Sequence, residues 1–468
     1  MQFRKLRILL VLFLALGLVF GSTACTKGGN SGARSAYKSE TLVWWRVWDN
    51  YYQVDDIITA YRAMHPNVRI EYRKLRYDEY EQELLEALAE DRGPDIFSVH
   101  NTWIPRYQSK ILPFPDRTKI PIKYIKGSIK KEEVVEFQIN NVFTPNQVRK
   151  SFLDPVAEDV LMYDDNDLEK VYGLPMSMDT LVMYYNKGLM SNAGIIEPAT
   201  TWLDFQEQVK KITKIDEGTG DLLVSGTALG TADNVERNFD ILSLLMMQNL
   251  APMMENGMAT FSENPDRLQG VPQAPGLTAL EYYMQFASPL FEVYSWNDDM
   301  PNSIEAFADG KVGFLFGYSY HRDQIQAQSP QLNFGVAPVP QVGQGQKANY
   351  ASYWVETVSN KSASSEYAFD FVNFLAKEEN ATKYLEKARR TTALRSTKLI
   401  NEHLAQADLE VSADQLLTAK SWYHGQSPLV AEEIFAEMIN TLLRADIEAE
   451  EALEQAAQKV NYSLYRKL

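Results

Sequence analysis

The chain has 468 residues, with 46 basic and 62 acidic side chains, a net charge of −16 and a single cysteine. The acidic balance excludes the basic footprint that nucleic-acid binding needs, and a lone thiol excludes an intrachain disulfide framework, so stability must come from a packed core. With 45% hydrophobic residues at this length, two or more packed units are expected, because single cores stop growing at about 250–300 residues.

The first element is a secretion signal. Arg4, Lys5 and Arg7 precede the apolar run Ile8 to Phe20, and Gly21-Ser22-Thr23-Ala24 supplies small residues before Cys25. The pattern resembles a bacterial lipoprotein signal, cut before a cysteine that carries the lipid, although Ser22 stands where leucine is usual. The apolar run is short of the roughly 20 residues that span a bilayer. The resemblance implies a signal peptide over 1–24, lipidation of Cys25 and a place on the extracytoplasmic face of the cell membrane. Loss of 1–24 would take away three positive charges and leave −19. Residues 26–39, rich in glycine and serine, read as a flexible tether with a span of roughly 20 Å.

The body opens with a β-prone run, Thr41 to Val47. Val54, Ile57, Ile58, Tyr61 and Met64 then recur at helical spacing until His65-Pro66 ends the helix. Val68 to Tyr72 alternates as a strand, and Tyr80, Leu84, Leu85 and Leu88 mark a second helix. Gly93-Pro94-Asp95 makes a turn, and Ile96 to Val99 forms a third strand. Strand and helix in strict alternation imply parallel pairing, with a binding edge at the carboxyl ends of the strands. The basic cluster Lys119 to Lys131 is interrupted by apolar residues and reads as a solvated surface. Helical spacing dominates the middle, at Trp202 to Ile212, Arg237 to Leu250 and Leu277 to Phe286, and returns at Glu366 to Ala376, Ala431 to Leu443 and Ala452 to Val460. Three β-prone stretches, Thr180 to Tyr185, Val312 to Phe316 and Phe334 to Val339, are placed to carry the chain between lobes. No internal repeat at a fixed period argues for a solenoid or propeller.

Short motifs then accumulate in order: Leu42-Val43-Trp44-Trp45, His65-Pro66-Asn67-Val68, Gly93-Pro94-Asp95-Ile96, Tyr172-Gly173-Leu174-Pro175, Tyr184-Tyr185-Asn186-Lys187, Thr201-Trp202-Leu203-Asp204-Phe205, Ala306 to Lys311, and Gly335 to Pro340. Together, over about residues 40–460, they resemble an extracellular solute-binding protein of the maltose-binding type, the recognition component of a carbohydrate ABC importer. The resemblance implies a two-lobed α/β fold of the periplasmic-binding-protein kind (type II), with a ligand cleft and a hinge of about three crossings. It implies a lobe 1 of residues 40–179 and 312–340 and a more helical lobe 2 of 180–311 and 341–468. It also implies a monomer that needs no cofactor or metal, takes a small carbohydrate and docks on permease subunits. The motifs themselves are scaffold; Thr201, for example, is placed to cap the helix that Trp202 begins.

A sugar site needs aromatic faces beside planar or charged hydrogen-bonding groups. Trp48 and Asp49 follow the first strand and Asn101 the third, on the expected binding edge. The resemblance adds Asp179 in the first crossing and Tyr318 and Tyr320 after the second. Tyr353 with Trp354, and Tyr423 beside Trp422, are further aromatic pairs in the C-terminal part. Each has a plainer alternative: capping for the Asx residues, a hinge hydrogen bond for Asp179, core packing for the aromatics. Catalytic readings have less behind them. The five histidines show no zinc-ligand spacing, no Gly-x-Ser-x-Gly or Walker loop occurs, and the Ser-x-x-Lys pattern at Ser128 to Lys131 recurs in the tether. The expected function is therefore binding without catalysis. The rivals are the same scaffold holding a peptide, a polyamine or a sugar phosphate, and a secreted glycoside hydrolase.

Overall fold

The computed structural model describes residues 31–129, 131–265, 270, 272–343 and 347–465. The signal, Cys25 and the first part of the expected tether lie outside the described residues. Residues 31–36 are not tether: Ser31–Ala36 is a helix with Ala33 buried, so the body begins earlier than its composition suggests.

Two five-stranded sheets organise two lobes. The first runs in the order Val68–Leu75, Glu40–Val47, Ile96–His100, Trp354–Val358, Leu174–Pro175. Its first three strands are parallel, as the alternation of strand and helix requires, and Trp354–Val358 joins antiparallel to Ile96–His100. The helix Tyr51–Met64 covers this sheet with Val54, Ile57, Ile58 and Tyr61, one apolar stripe at helical period. The second sheet runs Lys214–Ile215, Leu222–Thr227, Val312–Gly317, Val182–Asn186, Phe334–Ala337. Helices Trp202–Ile212, Asn238–Gln248 and Pro275–Met284 belong to that lobe, close to their expected bounds. Thr201 does cap the first of them, its hydroxyl accepting from the Asp204 amide at 3.2 Å.

The lobe boundaries differ from expectation. Val312–Gly317 and Phe334–Ala337 lie inside the second sheet, and Trp354–Val358 lies inside the first. All six residues of Val312–Gly317 are buried. A run that apolar is the signature of a central strand covered on both faces rather than of a crossing. The crossings are shorter and more polar. Core membership switches between Met178 and Leu181, between Tyr350 and Ala351, and between Ala419 and Trp422. At these points Asp179–Thr180, Asn349–Ser352 and Ala419–Lys420 pair in a three-stranded sheet of their own, which is the hinge.

Buried polar groups pin the hinge. The Gln415 amide donates to Thr180 Oγ1 and to the Leu181 carbonyl, both at 2.9 Å, and its oxygen accepts from the Val339 amide at 3.0 Å. Asp159, fully buried, accepts from Asn101 Nδ2 at 3.0 Å, Ser421 Oγ at 2.7 Å, His424 Nε2 at 2.7 Å and the Tyr353 hydroxyl. Burial pushes the Asp159 carboxyl up, but these donors, led by His424, outweigh it and hold it below the ordinary range. Burial pushes the His424 imidazole down, and the Asp159 carboxylate outweighs that and raises it above 6.5.

The raised imidazole makes the third crossing pH-dependent on the alkaline side. Its ion pair contributes fully below pH 6.5 and is lost as pH rises through the raised value. In urea unfolding, stability should fall as pH rises above about 6.5, and His424→Gln should flatten that fall because it cannot titrate. Equal slopes in both proteins would show that the pair adds nothing.

Candidate functional site

The cleft floor is built by the turn that ends the first strand. Trp48 has φ 66°, left-handed backbone that a bulky side chain avoids without an enforcing environment. The enforcement is an ion pair on either side of it. Arg46 Nη1 lies 3.0 Å from Asp49 Oδ2 and Arg46 Nε 2.9 Å from Glu356 Oε1, with all three side chains almost wholly buried. Tyr384 donates to Asp49 Oδ2 at 2.9 Å, and Arg390 Nη2 lies 3.4 Å from Asp49 Oδ1. Burial pushes the Asp49 carboxyl up, yet Arg46 and Arg390 hold it below the ordinary carboxylate range.

The turn swings the Trp48 indole out of the strand and into a cavity of about 280 Å³ between the lobes. The first lobe contributes Tyr77, His100, Trp103 and Trp354 beside it; the second contributes Glu236, Arg237, Tyr320 and Glu432. Trp48 is stacked on both faces. Tyr77 lies at 5.3 Å and 20° from parallel on its own lobe, and Tyr320 at 4.8 Å and 15° from the other. Tyr318 continues the stack behind Tyr320 at 5.8 Å. Trp354 meets Trp103 edge to face at 5.5 Å, and His100 at 5.7 Å.

Charge is concentrated on the second wall. Arg237, also left-handed with φ 60°, grips Asp240 through Nε at 2.8 Å and Nη2 at 3.0 Å, with Glu432 at 3.6 Å. Burial pushes the Glu432 carboxyl up, and Arg237 opposes it. Trp48 and Arg237, one on each wall, are two of the eight non-glycine residues with positive φ among the described residues. Burial drives the His100 imidazole down to about 4 and the His321 imidazole to about 3, so both stay neutral near neutral pH. His321 Nδ1 accepts from the Tyr318 amide at 3.0 Å, which places its proton on Nε2.

Of the residues singled out from sequence, Trp48, Tyr320 and Trp354 line this cavity. Asp49, Asp179 and Tyr353 line a smaller adjoining space of about 40 Å³. Asp179 is already engaged there, accepting from the Ser319 amide at 2.9 Å and hydroxyl at 2.6 Å, which ties the hinge to the helix Ser319–Gln328. Asn101 and the Tyr353 hydroxyl are both committed to Asp159. Tyr318 is fully buried and donates to Asp240 at 2.7 Å, and Tyr423 is buried in the second core against Ser463. The polar ends of these last residues already have partners inside the protein, in keeping with their plainer alternatives of capping and packing. Among the described residues, no group of three or more His, Cys, Asp or Glu side chains is arranged to hold a metal ion.

Sequence reasoning passed over Tyr77, Arg237 and Glu432, and placed Trp103 at the end of the third strand without choosing it. Tyr77 and Trp103 follow the second and third strands, so the edge rule that found Trp48 reaches them too. Arg237 and Glu432 come from a loop and a helix 195 residues apart, with no shared local pattern.

The Trp48 and Tyr320 stack bridges the lobes, and such pairs contribute about 0.5–1.5 kcal/mol beyond area burial. Trp48→Ala should therefore shift the ligand-free protein toward an open form, read as a larger radius of gyration in small-angle scattering. An unchanged radius would mean that other contacts hold the lobes together.

The family described as "Bacterial extracellular solute-binding protein" matches residues 48–382. The galactooligosaccharide-binding protein of Bacillus subtilis (strain 168) is 20% identical over 464 residues, covering 96% of this chain and 95% of that one. Among solved structures, the cyclic alpha-maltosyl-1,6-maltose binding protein from Arthrobacter globiformis superposes with a TM-score of 0.67 at 20% identity, covering 91% of this chain and 98% of that one. The GacH receptor of Streptomyces glaucescens, solved unliganded and with acarbose, gives 0.66 at 17% identity, covering 92% and 100%. With the family match spanning more than half of its length and the same two-lobed fold, this chain belongs to the bacterial extracellular solute-binding proteins, which bind rather than convert their solutes.

Proposed function

We propose that this protein captures a carbohydrate, an oligosaccharide or glycoside, in the interlobe cavity and delivers it to the membrane subunits of an ABC importer, from a lipid anchor at Cys25. The observation that carries this reading is the pairing of aromatic faces from both lobes, Trp48, Trp354 and Tyr320, with the carboxylates and guanidinium of Glu236, Arg237 and Glu432 in one cavity. Sugar rings present an apolar face and a hydroxyl rim, and this lining offers a partner to each. The names of the relatives support it: a galactooligosaccharide, a cyclic maltosyl-maltose and acarbose are what those proteins bind. A ligand touching both walls favours the closed form by its differential affinity for it, and the importer then distinguishes loaded from empty protein by shape.

The acidic wall favours one alternative, a basic solute such as a polyamine, because Glu236 and Glu432 outnumber Arg237 there. A thermal-shift panel of oligosaccharides, polyamines and peptides separates the two. A ligand at 100 times its dissociation constant adds about 2.7 kcal/mol. Shifts with oligosaccharides are expected, and a panel in which only polyamines respond would overturn the carbohydrate reading.

Against the sugar so identified, Trp48→Ala should weaken binding by about 1–3 kcal/mol in calorimetry with the fold intact. Unchanged affinity would remove Trp48 from the site.

A further inference from the structure

The basic cluster at Lys119 to Lys131 forms a feature that the binding function leaves unused. Arg117–Lys126 and Glu132–Asn141 pair antiparallel along their whole length as a two-stranded ribbon. Its base docks on the first lobe. Thr118 Oγ1 and Asn140 Nδ2 donate to Asp370 Oδ1 at 3.1 and 2.7 Å, and the Tyr367 hydroxyl donates to the Pro121 carbonyl at 3.2 Å. Toward the turn the ribbon turns apolar and basic at once. Ile125 is 67% exposed and Ile129 98%, while residues 123–131 hold four lysines and no acidic residue. Glu132 and Glu133 follow on the return strand: Lys123 pairs with Glu133 at 2.8 Å and Lys126 lies opposite Glu132 in the ladder, while Lys126 and Lys131 remain exposed with no ion pair within 4 Å on the described surface.

The N-terminal helix enters at this same ribbon. Gly32 faces the Phe137 ring, and Phe137 is opposite Pro121. From there to Ile125 is four residues, about 13 Å of strand, and to the turn at Gly127 about 20 Å. The chain from Ser31 back to Cys25 is six residues, a reach of about 20 Å. An anchor at Cys25 thus has the ribbon tip within its own length of chain. The whole molecule is strongly acidic and is repelled by an anionic bilayer, so a local basic patch with isoleucines at its end selects the side that approaches.

We infer that the ribbon tip, Ile125 and Ile129 with Lys126 and Lys131, rests on an anionic phospholipid surface and sets how the body stands over the membrane. The proximity part of this inference rests on the proposed anchor at Cys25. The tip adds orientation, with Ile129 entering the headgroup layer and the lysines meeting lipid phosphates.

The test supplies the anchor artificially, so that it does not depend on lipidation. The mature chain with Cys25→Ser and an N-terminal histidine tag is bound to vesicles containing a nickel-chelating lipid. Ser128→Cys carries an environment-sensitive fluorophore at the tip, and Leu290→Cys, 93% exposed in the second lobe, carries it as a control. On phosphatidylglycerol vesicles the tip probe should brighten several-fold and shift blue, while the control should not. Vesicles of phosphatidylcholine alone, or the variant Lys126→Glu with Lys131→Glu and Ile129→Asp, should abolish the change while sugar affinity stays the same. A tip probe as water-exposed as the control on phosphatidylglycerol would overturn the inference, as would equal brightening of both probes. Mass spectrometry of Cys25 in the native protein tests the anchor separately: an unmodified cysteine removes the lipid and leaves the vesicle result to decide the tip.

Discussion

A buried chain of alternating charge, Glu356, Arg46, Asp49 and Arg390, lies under the binding cavity, and the site depends on it. Glu356 is in the centre of the first sheet, where it also accepts from Trp44 Nε1 at 2.6 Å and from Ser98. Arg390 reaches on toward Ser319 at 3.3 Å, the residue that Asp179 holds from the hinge. A single line of ionic and hydrogen-bonded contacts therefore joins sheet, cavity floor, hinge and second lobe. Removing one member of such a buried set leaves its partner as an unpaired charge, which costs about 3–5 kcal/mol. Here the set has a specific product, the left-handed backbone at Trp48. Without the clamp from Arg46 to Asp49, the turn would relax and the indole would leave the cavity.

The hinge obeys a different constraint. Its strands are two to four residues long and carry Asp179, Asn349 and Ser352, side chains that bond to neighbours rather than fill a core. Two large apolar cores with a polar connection between them are stiff where they bind and compliant where they join. Asp159 marks the limit of that compliance, because its four donors come from the third strand's end, the strand after the hinge, and the third crossing.

The first lobe was legible from the chain alone, because strand, helix and turn there follow local rules of period and punctuation. Val54 to Tyr61 and Ile96 to Val99 fold where those rules put them. The lobe boundaries were not legible in the same way. Val312–Gly317 and Trp354–Val358 are both β-prone, and which sheet each joins is decided by pairing partners more than a hundred residues away. Ring and edge position together point to Trp48, the resemblance to Tyr320 and an aromatic pair to Trp354, and all three line the interlobe cavity. Tyr353 and Tyr423 have the same chemistry and point inward; their sequence neighbours contain no sign of Asp159 or Ser463. The ribbon at 117–141 escaped because its alternation is diluted by lysines that an ordinary solvated surface would also show.

The stacked rings of Trp48 and Tyr320 also set an entry threshold. With the walls closed, Trp48 and Tyr320 meet ring to ring, so that contact must part before anything stacks between them. A solute that stacks there exchanges one ring contact for another, so stacking at that point adds only the difference between the two. A rigid ring with several neighbours in a chain can give up that first contact and recover it along the rest of the cavity. What a solute gains when the walls close on it is therefore the difference between its own contacts and this ring pair, which is the reference every bound solute is measured against.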